Sequence, residues 1–91
     1  MDDKKIYKEA LDKYGAQMQE TVCIEELSEL QKALCKNIRG KGPMEDISEE
    51  IADVQIMLAQ MILLFNLESE VEKWRNTKLE RLRDRLSEVT A

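Results

Sequence analysis

The stretch Ile56-Met57-Leu58-Ala59, followed after Gln60 by Met61-Ile62-Leu63-Leu64-Phe65, is apolar on every side of any helix it forms. A helix that is hydrophobic all round has to be surrounded by protein or lipid. Lipid is a poor fit, because Gln55, Gln60 and Asn66 interrupt the run and a membrane span needs roughly 20 apolar residues. Protein from the same chain is also scarce. The 91 residues suffice for one small domain, 1–91, and a compact monomer of that size buries only about 60–65% of its unfolded surface. A second copy packed against this helix is therefore expected, since an exposed patch of that size would otherwise aggregate.

Around that segment the chain reads as an all-α fold of four helices. Leu, Ile, Glu, Lys, Arg, Met and Ala dominate, and Gly and Pro are rare, which favours helix. The first helix, about Asp3 to Tyr14, carries a stripe of Ile6, Ala10, Leu11 and Tyr14 and stops at Gly15. The second runs from about Ala16 to Ile38, with Leu27, Leu30, Leu34 and Ile38 on its strongest apolar arc and Cys23 beside them. Arg39-Gly40-Lys41-Gly42-Pro43 breaks the pattern as a loop. A third helix starts near Pro43 to Asp46 and continues to Phe65, Asn66 marks a break, and a fourth spans about Glu68 to Val89.

Two acidic pairs share one spacing: Glu26 with Glu29, and Glu50 with Asp53. Residues three apart on a helix project from one face, so two neighbouring helices can aim four carboxylates at one spot. Crowded acids raise one another's pKa, and burying them unpaired costs several kcal/mol per ion. A divalent cation removes both penalties. The chain contains no His, so an all-oxygen site would favour Mg²⁺, with Mn²⁺ as a substitute, over Zn²⁺. Glu26 lies on the edge of the apolar arc, Glu29 further toward solvent and Glu25 further still. The plain alternative is a solvated acidic face, as read for Glu49, Glu68, Glu70 and Glu72, with Asp46 and Ser48 serving only the helix start.

On the fourth helix, Val71, Leu82, Leu86 and Val89 form an apolar stripe bordered by Trp74 and Leu79. Lys78 falls inside it and Arg81 lies close to Trp74. Lys78 either snorkels over apolar surface or meets a phosphate, with Arg81 as a forked donor beside it. Arg75 and Arg85 have acidic neighbours to pair with at helical spacing. Cys23 and Cys35 are too far apart on one helix for a disulfide and read as buried small side chains. Reduced thiols and the lack of a signal peptide point to the cytoplasm. A net charge of −5 argues against nucleic-acid binding, and no segment reads as a membrane span.

Glu25-Glu26-Leu27-Ser28-Glu29-Leu30, then Glu50-Ile51-Ala52-Asp53-Val54, follow an EExxE…ExxD pattern. Together with Lys78-Leu79-Glu80-Arg81, the chain from about Gln17 to Leu86 resembles the short, single-domain MazG-like all-α nucleoside triphosphate pyrophosphohydrolases. The resemblance implies a four-helix bundle completed by dimerisation, sometimes doubled to a homotetramer. It implies Mg²⁺-dependent cleavage of nucleoside triphosphates between the α and β phosphates, giving the monophosphate and pyrophosphate. It assigns Glu26, Glu29, Glu50 and Asp53 as metal ligands. Glu25 would position or deprotonate the attacking water, and Lys78 and Arg81 would hold phosphates. No motif marks a nucleobase pocket, for which Trp74 and Tyr14 are candidates. The competing class is a non-catalytic helical dimer acting as an interaction or regulatory module. A di-iron carboxylate bundle is disfavoured, because its Glu-x-x-His motifs are missing.

Overall fold

The computed structural model describes residues 1–88 and contains four helices: α1 (Asp3–Tyr14), α2 (Ala16–Ile38), α3 (Met44–Leu64) and α4 (Glu68–Leu86). Among the described residues there is no strand, and no helix is long and apolar enough to cross a membrane. The helix ends follow from local chemistry. Asp2 caps α1 by accepting the Lys5 amide at 3.2 Å. Gly15 separates α1 from α2 with φ 89° and ψ 156°, a backbone region that only glycine enters readily.

The ends of α2 and α3 share one geometry. After α2, the Gly40 amide donates to the Asn37 carbonyl and the Lys41 amide to the Lys36 carbonyl, both at 2.9 Å. After α3, Asn66 adopts φ 54°, with its amide on Leu63 at 3.2 Å and the Leu67 amide on Ile62 at 2.9 Å. Both are Schellman motifs, which satisfy the last carbonyls of a helix. Helix α4 stops at Leu86, earlier than the sequence suggests: the Glu88 amide closes on Arg85 three residues back, and the Ser87 hydroxyl donates to the Asp84 carbonyl. Val89 lies outside the described residues.

Helices α2 and α3 form the main antiparallel pair, α1 packs on both, and α4 packs on α3 and reaches α1 through the Lys4–Glu68 ion pair. The face that α2 turns toward α3 carries Gln19, Cys23, Glu26, Leu30 and Ala33, all buried or half-buried. The arc of Leu27, Leu34 and Ile38 was expected inside, but these three are exposed, because α3 packs on the adjacent stripe. Cys23 is buried as expected, whereas Cys35 is exposed. The apolar core proper is Cys23, Val54 and Met57, and no large side chain is completely enclosed.

The protomer is elongated. Its radius of gyration is 16.6 Å, against about 12 Å for a compact domain of this length. Its accessible surface is 7541 Å², against about 5,500 Å² for a compact chain of this mass. Contributing to the excess are Ile51, Leu58 and Phe65 on one side of α3, Ile56 on its other flank, and α4, which buries none of its residues.

One test of the chain reversals concerns Gly15. A Cβ added there meets nothing within 4 Å, yet φ is +89°. Gly15→Ala is therefore expected to lower unfolding free energy by about 1–3 kcal/mol through backbone strain alone, measured by urea denaturation.

Candidate metal centre

Half-way along the α2–α3 seam, Glu26 on α2 comes to face Glu50 and Asp53 on α3. One carboxylate oxygen from each lies within 4.8 Å of the other two. All three residues are half-buried. The sequence puts acids there because each stands at the border of an apolar stripe, and packing the stripes carries the acids inward with them.

The electrostatics are unfavourable for bare carboxylates. The carboxyl of Glu26 is raised above the usual range, first by burial, then by the neighbouring Asp53, and further by Glu50 and Glu29. Glu50 is raised by burial, then by Asp53, Glu29, Glu49 and Asp46. Its Oε2 is shut off from solvent and has no hydrogen-bond partner.

That orphaned oxygen is the feature a metal explains best. A buried acceptor without a donor is rare in folded proteins, and a hard cation is a natural partner for it. Oxygen ligands of Mg²⁺ stand at about 2.0–2.1 Å from the ion, so two of them are at most about 4.2 Å apart. Three oxygens within 4.8 Å of one another already have that scale. The donor set therefore fits a hard divalent ion.

The remaining residues singled out by sequence are less gathered. Glu29 is exposed and outside the close trio, but near enough to raise both Glu26 and Glu50. It lines a shallow hollow of about 100 Å³ with Lys32, Lys36, Asp46 and Glu50. Glu25 is exposed and does not join the trio. Lys78 is also exposed, with its ammonium 6.0 Å from the Trp74 ring centre. Arg81 is exposed too, and α4 makes no contact with α2. Within one protomer, then, the two cations do not face the carboxylates. Tyr14, at the end of α1, and Trp74, on α4, are both 56% exposed, and neither is brought to the acids.

Two groups escaped the reading of the sequence. Asp46 and Glu49 were assigned to a helix start and a solvated face, yet both push up Glu50. Their signal was the density of acids at the beginning of α3. Arg75 and Arg85 were expected to pair with acidic neighbours. Among the described residues the ion pairs are instead Lys4–Glu68 at 3.2 Å and Arg83–Asp84 at 3.7 Å. A hollow of about 740 Å³ runs along α4 and is walled by that helix alone, so it is open surface and not an enclosed site.

A pH dependence follows. Acids whose pKa is higher in the folded state bind more protons folded than unfolded, so stability falls as pH rises through the folded value. Without metal, the melting temperature is expected to rise as pH is lowered from 7 toward about 5, since ordinary glutamate pKa values lie just below that range. Asp53→Asn should flatten this slope, as should millimolar Mg²⁺. The check is thermal denaturation by circular dichroism across pH.

Compared with protein-family models, with curated proteins and with solved structures, the chain matches none.

Proposed function

We propose that this chain is a Mg²⁺-dependent nucleoside triphosphate pyrophosphohydrolase of the MazG-like kind, active as a homodimer. The observation that carries the reading is the three-carboxylate cluster with its solvent-excluded, unpaired Glu50 Oε2. Glu26, Glu50 and Asp53 would hold the cation, with Glu29 beside them. Mg²⁺, when bound, supplies Lewis-acid charge that neutralises phosphate oxygens and acidifies water. Glu25 stays free on the exposed side of α2 to position or deprotonate the attacking water. Phosphate recognition falls to Lys78 as a point charge and Arg81 as a forked donor.

The second copy is part of the proposal for three reasons. The protomer exposes roughly 2,000 Å² more than a compact chain of its mass, and an obligate dimer covers about 1,000–2,500 Å² on each partner. Uncovered apolar residues include Ile51, Ile56 and Leu58 on α3 and Trp74, Leu79 and Leu82 on α4, where two copies could share them. Charge also matches. From Lys73 to Arg85, α4 carries six cations and two acids, and among the described residues Lys73, Arg75, Lys78, Arg81 and Arg85 have no ion-pair partner. The acids of α2 and α3 are the complementary surface. Because α4 does not reach them within one chain, Lys78 and Arg81 would serve the partner's carboxylates.

The uncovered Trp74, Leu79, Leu82 and Leu86 of α4 also suit a non-catalytic interaction module. That reading has no use for a cation, so stabilisation by Mg²⁺ separates the two.

Asp53→Ala is expected to abolish both nucleotide hydrolysis and Mg²⁺-dependent stabilisation, while the metal-free variant melts no lower than wild type. Full activity in Asp53→Ala would refute the site. Lys78→Met keeps the aliphatic bulk and removes the charge. It should slow turnover by about ten- to a thousandfold, at about 1.4 kcal/mol per factor of ten, with metal binding retained. Zero-length carbodiimide coupling in a 1:1 mixture of ¹⁴N and ¹⁵N chains tests the arrangement. Peptides linking Lys78 to the acids of α2 or α3 should include mixed-isotope species, whereas links confined to one isotope would place both groups on the same chain.

A further inference from the structure

The two most buried polar side chains are Gln19, 6% exposed, and Gln60, 4% exposed. Gln19 Nε2 donates to Gln60 Oε1 at 2.8 Å, and Gln60 Nε2 lies 3.6 Å from the Met57 sulfur. Gln19 stands on α2 and Gln60 on α3, so this hydrogen bond joins the two helices of the seam. Its place relative to the acids follows from the numbering. Gln19 precedes Glu26 by seven residues, and Gln60 follows Asp53 by seven. Seven residues are about 10.5 Å of helix and return a side chain to within about 20° of its starting direction. In an antiparallel pair, one displacement along both helices thus carries the amide pair onto the Glu26–Asp53 pair.

The rest of the seam is poorly equipped to choose that register. Its buried apolar members are Cys23, Val54 and Met57, with Ala33 at the edge. Small residues and the flexible Met side chain fill space in more than one arrangement. The α2–α3 loop contains Gly40 at φ 72° and Gly42 at φ 82°, and glycine adapts readily to altered backbone paths. Repulsion among Glu26, Glu50 and Asp53 favours any slide that parts them. A slide of one turn is about 5.4 Å. It would separate the carboxylates and leave two buried amides without partners. Buried polar groups pair in one register only, as single buried Asn residues do in coiled coils.

We propose that the Gln19–Gln60 hydrogen bond is the register pin of the α2–α3 pair, holding Glu26 against Asp53 in opposition to their repulsion. Both glutamines are positioning residues. As a device for a cation site, the pin rests on the metal-dependent reading above; as a determinant of register, it stands on the hydrogen bond and the spacing.

The test replaces both amides with side chains of similar volume, in Gln19→Met combined with Gln60→Met. Removing a satisfied buried polar pair should leave the melting temperature equal to wild type or higher. Two other readings should move. Mn²⁺ affinity, followed by the paramagnetic resonance of the free ion, should fall about ten- to a hundredfold, the usual cost of losing a supporting residue. Interhelical methyl NOEs across the seam should become mixed or shift by a turn. Gln60→Glu keeps an oxygen acceptor for Gln19 and should hold Mn²⁺ affinity within about threefold of wild type, on the same scale. Unchanged affinity and NOEs in the double variant would overturn the proposal, and so would its failure to fold, which would make the pair a stability element instead. If wild type itself binds no Mn²⁺ while the NOEs still shift, the pin stands and the metal-dependent reading falls.

Discussion

Everything specific about this chain depends on the packing of α2 against α3, which forces carboxylates together. The seam buries few apolar atoms and includes Glu26, Glu50 and Asp53. A protein selected only for stability would place apolar residues at those positions, since replacing buried charge by hydrophobe is often neutral or stabilising. The raised carboxyls of Glu26 and Glu50 and the unpaired Oε2 amount to stored electrostatic strain. Strain of this kind clusters at functional sites, where a ligand relieves it. A hard divalent cation is the ligand that oxygen donors without His or thiolate best accommodate.

The same seam limits what one chain can do alone. Its core holds Cys23, Val54 and Met57 and no fully enclosed large side chain. Helix α4 extends away from α2, tied back to α1 through the exposed Lys4–Glu68 pair, which is worth little by itself. The dimer proposed above would account for both surface and charge. Among the described residues, apolar side chains of α3 and α4 lack a cover, Lys73, Arg75, Lys78, Arg81 and Arg85 of α4 lack an acid, and the acids of α2 and α3 lack cations. A second copy related by a two-fold axis would meet all three needs with one interface, because each surface is then used once by each chain.

Helix positions were legible in the sequence because their ends are encoded locally. Gly15, Gly40 and Asn66 stand where a positive φ is required, and Pro43 precedes α3. The pairing of Glu26 with Glu50 and Asp53 was legible too, from acids at the borders of apolar stripes. Less legible was which stripe meets which neighbour. On α2, two adjacent arcs are apolar enough to be core, and the one with Leu27, Leu34 and Ile38 is left outside. Amphipathicity ranks such faces, but it cannot assign them to a partner. The described members of the inward-reading stripe on α4, Val71, Leu82 and Leu86, are exposed in the protomer for the same reason. Gln60 read only as an interruption of an apolar run. Its partner Gln19 is 41 residues away, and no local pattern signals that contact.

The central claim is that the acidic cluster works on a nucleoside triphosphate through a bound metal. Incubating wild-type protein with a panel of ribo- and deoxyribonucleoside triphosphates, with Mg²⁺, Mn²⁺ or chelator, and separating the products by anion exchange tests it most directly. The expected result is nucleoside monophosphate and pyrophosphate in equal amounts from at least one nucleotide, abolished by the chelator. Release of inorganic phosphate with a diphosphate product, or no turnover of any nucleotide with either metal, would contradict it.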